Sequence, residues 1–166
     1  MCREEIAMKV IGFWMAILFG IVITTAVADQ WQVVTVNRVT LEGTLKDGAA
    51  FEVRVDSDAP KEASGDYFGA TDAPRSVVSG IIVKPAGGRI AFPKQAFADL
   101  ANPLLQTVSI TSLPSGDLKL RFTGGEGGTN YEVEYFIEGN RLVRRTVSYF
   151  ERGGSTKDRV IKTMTF

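Results

Sequence analysis

Histidine is absent from the 166 residues of this chain, and cysteine occurs once, at Cys2. The first absence excludes a Ser-His-Asp triad, imidazole ligation of a metal and proton transfer by histidine near neutral pH. The second leaves the body of the chain without thiol catalysis, thiolate metal sites or disulfides. An excess of charge of either sign is also missing, since 19 Lys and Arg face 19 Asp and Glu. Phosphate backbones demand a basic footprint, so nucleic acid is not an expected partner.

One long uncharged run exists, VIGFWMAILFGIVI from Val10 to Ile23, followed by Thr24-Thr25-Ala26-Val27-Ala28. Small residues then stand at the two positions a signal peptidase reads, which predicts residues 1–28 as a secretory signal cut between Ala28 and Asp29. The alternative is an uncleaved anchor, because Val10 to Ala28 supplies 19 uncharged residues, enough to cross a bilayer. Glu4 and Glu5 occupy the place of a basic segment, so Met8-Lys9 makes the better start. Cys2 is then untranslated or lost with the signal. The remainder, residues 29–166, is expected to be a single secreted or periplasmic domain. It keeps 17 basic and 17 acidic groups once Arg3, Lys9, Glu4 and Glu5 are removed. A chain of that size buries about two thirds of its unfolded surface.

The clearest pattern lies between Leu118 and Tyr149. Leu118, Leu120 and Phe122, then Tyr131, Val133, Tyr135 and Ile137, then Val143 and Val147 fall on alternate positions, the period of strands with one buried face. TGGEGGTN, with four glycines around Glu126, predicts a chain reversal. Glu138-Gly139-Asn140 predicts a three-residue hairpin loop with Asn140 in the left-handed region. In that register Tyr135 faces Val143, Tyr131 faces Val147, and Phe122 faces Tyr131. Lys119, Glu134 and Arg144 then line up on the outward face, with Arg121 opposite Glu132. Directly opposed charges contribute about 0.2 to 1 kcal/mol each. They specify register more than stability, and the row reads as a solvated face.

Elsewhere the runs are shorter. Trp31 to Leu45 carries Val34 and Val36 on one phase and Val39 and Leu41 on the other, which predicts a strand with a bulge or bend near Asn37-Arg38. Lys46-Asp47-Gly48 turns it into a hairpin with Phe51, Val53 and Val55. Val77 to Lys84 and Arg89 to Phe92 read as strands joined by Pro85-Ala86-Gly87-Gly88. Pro93 to Ala101 breaks the period of two and predicts one short helix, stopped by Asn102-Pro103. With Thr107 to Leu113 and Arg159 to Phe166 the count reaches about nine strands. The expected fold is all-β, an antiparallel β-sandwich or a partly open barrel. A terminal Phe166 on a strand also occurs in outer-membrane barrels, but Lys162 would then face lipid and the strands are too short to span.

From Asp56 to Arg75 no period is visible. A loop of that length within a small domain is usually functional or disordered. Its Tyr67-Phe68 pair, with Asp66 before it and Gly69 after it, offers an aromatic anchor for a partner; alternatively both rings pin the loop to the sheet. Asp66, Tyr67, Phe68 and, in the glycine loop, Glu126 are the binding candidates. Asp56-Ser57-Asp58 opens like a calcium loop, yet Lys61 replaces the required glycine and Tyr67 the required glutamate, so no metal site is assigned. Gly124-Gly125-Glu126-Gly127-Gly128 lacks the Gly-Lys-Ser/Thr ending and GxGxxG spacing of phosphate loops. No cofactor and no catalytic residue are therefore assigned. An enzyme built from these residues would need a carboxylate pair of the glycosidase kind, drawn from Asp56, Asp58, Asp66, Asp72 and Glu126.

The expected function is that of an exported, non-catalytic β domain that binds a protein, a glycan or a cell-envelope component. A carboxylate-based hydrolase and an N-terminally anchored structural envelope protein are the alternatives. Membrane contact is expected only if residues 10–28 stay attached.

Overall fold

The computed structural model of the chain describes residues 21–23, 30–45, 48–61, 66–70, 72–126, 128–150 and 159–166. The cleavage site and the Lys46-Asp47 turn lie outside the described residues. So does most of the expected signal. Two antiparallel sheets form a β-sandwich. The first runs in the order β1 (Ile21–Ile23), β2 (Gln30–Val34), β3 (Arg38–Thr44), β4 (Ala50–Asp58), β5 (Val77–Pro85) and β6 (Ile90–Ala91). The second comprises β7 (Pro103–Ser112), β8 (Leu118–Gly124), β9 (Tyr131–Glu138), β10 (Arg141–Phe150) and β11 (Arg159–Thr165), in the order β11-β10-β9-β8-β7. Each sheet is a meander of sequential neighbours, and among the described residues no strand of one pairs with a strand of the other. The barrel alternative therefore gives way to a sandwich.

Alternation in sequence becomes burial in space. Val39 and Leu41, Phe51, Val53 and Val55, Val78, Ile81 and Val83 point from the first sheet into one core. Val108, Ile110, Leu118, Leu120, Phe122, Val133, Tyr135 and Ile137 meet them from the second. Burying each such side chain is worth about 1.5 to 3 kcal/mol. Gln32 is one of three buried polar residues, with Ser57 and Arg145; its Nε2 lies 3.4 Å from the carbonyl oxygens of both Leu105 and Val108. It thereby serves the stretch of β7 where pairing to β8 is interrupted between Leu104 and Ser109.

Three expectations are corrected. First, Trp31 to Leu45 is not one bent strand but the hairpin β2–β3, in which the Thr35 amide donates to the Arg38 carbonyl at 2.7 Å and Val36 stands exposed at the tip. The phase change at Asn37-Arg38 was a turn. Second, the helix expected over Pro93–Ala101 is only a 3-10 turn, Lys94–Ala96. Beyond it the backbone is drawn into pairing: the Phe68 amide donates to the Asp99 carbonyl at 2.8 Å, the Ala101 amide donates to the Phe68 carbonyl at 2.9 Å, and Ala101 also bridges Val77. A longer helix would have to surrender those bonds.

Third, the register of the central meander is displaced by two residues. The positive φ falls on Gly139 rather than Asn140, the turn pairs Glu138 with Arg141, and a bulge between Leu142 and Arg144 adds a further residue. Tyr135 consequently faces Arg145, and Tyr131 faces Tyr149. Across the glycine loop the ladder continues through Thr123 and Gly124, so Phe122 faces Val133 and Gly124 faces Tyr131. A displacement of two preserves the faces beyond the bulge, since side chains alternate with period two, but between the turn and the bulge the shift is one, so Leu142 is buried in place of the expected Val143. The expected ion pairs Lys119–Glu134, at 3.0 Å, and Arg121–Glu132 accordingly exist, but as diagonals. Arg144 faces Phe136 instead and holds its guanidinium 4.0 Å from that ring's centroid.

Candidate functional site

The bulge in β10 places a charged residue among apolar ones. Leu142, Arg145 and Val147 point inward, and Arg145 is 2% exposed. A guanidinium taken out of water needs a counter-charge. Asp99 supplies it, because the bridge between Phe68 and Leu100 fixes the backbone beside it. Nη1 of Arg145 donates to Oδ2 of Asp99 at 3.0 Å, and Nη2 lies 2.7 Å from Oδ1 as an ion pair without hydrogen-bond alignment. The Nε and Nη2 hydrogens of Arg145 thus find no aligned acceptor among the described residues.

Around this pair the sandwich is open. Lys162 of β11 faces Val147 and so shares the inward side of its sheet, yet it is exposed. Its Nζ stands 5.2 Å from the Phe68 ring centroid and 5.7 Å from that of Tyr149, while those two rings pack at 4.9 Å. The Arg145 guanidinium is 5.6 Å from the same Phe68 ring. Asp66, Phe68, Asp99, Arg145, Lys162 and Met164 are the principal walls of a cleft of about 330 Å³. That volume is at the small end of ligand sites.

Two tyrosines support the floor. The Tyr135 hydroxyl donates to the Ala96 carbonyl at 2.8 Å, whereas the buried Tyr131 hydroxyl has no partner among the described residues. Burial pushes both phenols well above the usual tyrosine range, with the Arg145 charge opposing the shift. Tyr131 also explains two glycines. A Cβ on Gly69, which has φ +83°, would sit 2.6 Å from Cε1 of Tyr131, and one on Gly124 would collide with the same ring. Only glycine lets the ring lie that close to both backbones.

The four residues singled out in the sequence do not form one site. Asp66 and Phe68 line the cleft. Tyr67 instead borders a separate groove of about 540 Å³ with Asp58, Lys61, Lys94 and Phe97. Glu126 lies in the glycine loop, 3.5 Å from Nε of Arg75. Of the other candidate carboxylates, Asp56 is held between Arg38 and Arg54 on the outer face of the first sheet. Sequence reasoning missed Arg145, Asp99 and Lys162 as site residues. The first had a signal: Arg145 lies on the inward phase between Val143 and Val147. Asp99 had none. Among the described residues no group of three or more acidic, Cys or His side chains could hold a metal ion.

No family model matches this chain, and no curated protein and no solved structure shows significant similarity to it.

Proposed function

We propose that this chain is an exported, non-catalytic β-sandwich that binds a protein or glycan component of the cell envelope, with the cleft between β11 and the Asp66–Phe68 segment as its ligand site. The observation that carries this reading is a buried arginine whose Nε–H has no partner among the described residues, lining an open cleft beside a lysine held over two aromatic rings. Desolvated donors of this kind are costly for folding alone and useful for recognition. The non-catalytic part is favoured over a hydrolase because the two carboxylates of the cleft differ in state. Asp99 is engaged twice by Arg145, which leaves Asp66 without a free carboxylic partner for acid and base work.

The test is an affinity capture from the envelope fraction of the producing cells with two baits, the native protein and Met164→Trp. Met164 is 39% exposed on the cleft wall, so the indole fills the mouth without entering the core. A component held by the native bait and lost with Met164→Trp supports the reading. Equal capture by both baits removes the cleft from the function, and recovery of a cleaved envelope polymer from the native bait favours the hydrolase.

A further inference from the structure

Resting on the proposed cleft as a ligand site, we infer that its ligand is the carboxylate end of a peptide chain whose last side chain is apolar. The charges of the inner cleft set the sign. Arg145 and Asp99 neutralise one another, so Lys162 is the cation left to meet a ligand. Asp66 is the other lining charge outside that pair; it is exposed, as Lys162 is, and the two form no ion pair among the described residues. The hydrogen-bond count points the same way: Nε of Arg145 and the neighbouring Tyr131 hydroxyl, both donors, have no partner among the described residues, whereas Nη2 and the unaligned acceptor Oδ1 of Asp99 already meet as an ion pair. A carboxylate supplies acceptors without adding a donor. It also suits an ammonium held beside the Phe68 and Tyr149 rings.

The rest of the lining selects what carries the carboxylate. Phe68, Val147 and Met164 are apolar, and a volume of about 330 Å³ admits one terminal group rather than a chain passing through. A sugar would need acceptors and donors for several hydroxyls, and Thr163 is the only uncharged polar side chain among the lining residues. An apolar terminal side chain beside its own carboxylate matches both halves of the cleft.

Backbone amide shifts of the 15N-labelled protein test this with three probes: N-acetylphenylalanine, its carboxamide and phenyl glucuronide. The acid is expected to move the amides of Lys162, Thr163 and Met164 and to bind at least about tenfold more tightly than the carboxamide, the worth of one charge-assisted contact. Lys162→Met is expected to bring the acid down to the level of the carboxamide, and Met164→Trp to abolish both. Equal binding of acid and carboxamide, or a Lys162→Met protein that binds the acid undiminished, overturns the carboxylate inference and leaves the cleft as a ligand site. Tighter binding of the glucuronide overturns the peptide end in favour of an acidic sugar. No shift at the cleft with any probe overturns the cleft itself, and the inference with it.

Discussion

Asp99→Asn is expected to be among the most damaging single substitutions at the rim of this domain, although Asp99 lies outside the regular strands. The side chain of Arg145 is 2% exposed and that of Asp99 34%. Breaking a fully buried pair by removing one partner costs about 3 to 5 kcal/mol, because the other charge is stranded. Asp99 is one third open to water, so part of the lost counter-charge is replaced by solvent, and about 2 to 3 kcal/mol remains. Arg145→Met removes the opposite partner and is expected to cost less, about 1 kcal/mol or below, because the carboxylate left behind is reachable by water and Met fills the apolar space. The double variant, with neither charge, should return to within about 1 kcal/mol of the native protein. Equilibrium urea unfolding followed by circular dichroism measures all three, with an unchanged m-value as the control on the unfolded state. At about 2 to 4 °C per kcal/mol for a chain of this size, Asp99→Asn should lower Tm by about 4 to 12 °C. If Arg145→Met proves more damaging than Asp99→Asn, the guanidinium is a net stabiliser rather than a charge that folding must neutralise. The case for a strained, ligand-seeking floor would then collapse.

Gly69→Ala should cost at least about 2 kcal/mol, from a positive φ and a collision with Tyr131, whereas Gly116→Ala, at φ +86° with open space around it, should cost only about 1 kcal/mol in the same unfolding assay. Tyr131→Phe removes an unpartnered hydroxyl and should be neutral or slightly stabilising, while Tyr135→Phe loses its bond to Ala96 and should cost about 1 kcal/mol; the reverse order would contradict the hydrogen-bond assignment. Both phenols have folded-state pKa values raised above about 10, so the stability they contribute is complete below pH 10 and is lost as pH rises beyond it, by about 1.4 kcal/mol per pH unit for each. An alkaline unfolding series should therefore be shallower in the Tyr131→Phe/Tyr135→Phe double variant. Glu134→Lys should destabilise by about 0.5 to 1 kcal/mol at low salt and less at 1 M. Adding Lys119→Glu should recover part of that loss and adding Arg144→Glu none of it, because Glu134 pairs with Lys119 while Arg144 rests on Phe136. A double-mutant cycle distinguishes the two.

Much of the fold was legible along the chain. The inward residues of β4, β8 and β9 are the ones that alternation picked out, and Pro114 to Asp117 turns where turn chemistry predicts. The candidate site was legible only in part. Asp66 and Phe68 reach the cleft, but Tyr67, their immediate neighbour, borders a different groove. Successive side chains in an extended segment point to opposite sides, so an aromatic pair of adjacent residues divides between two surfaces.

Which residues of each strand enter the core is a local property. It follows from the pleat of a single backbone and the hydropathy of nearest neighbours, and this chain's composition and alternation determine it, along with the absence of histidine chemistry. Register is not local, because a two-residue displacement leaves β8 and β9 burying the same residues; the Gly139 turn and the β10 bulge decided it, and the bulge also put Leu142 in the core in place of Val143. Nor is the helix, since the Phe68 backbone outcompetes it for the groups around Asp99 and Ala101. Arg145 and Asp99 meet across a sequence separation of 46. Only tertiary packing could bring them together, because the free energy of a buried charge depends on what the rest of the fold places beside it.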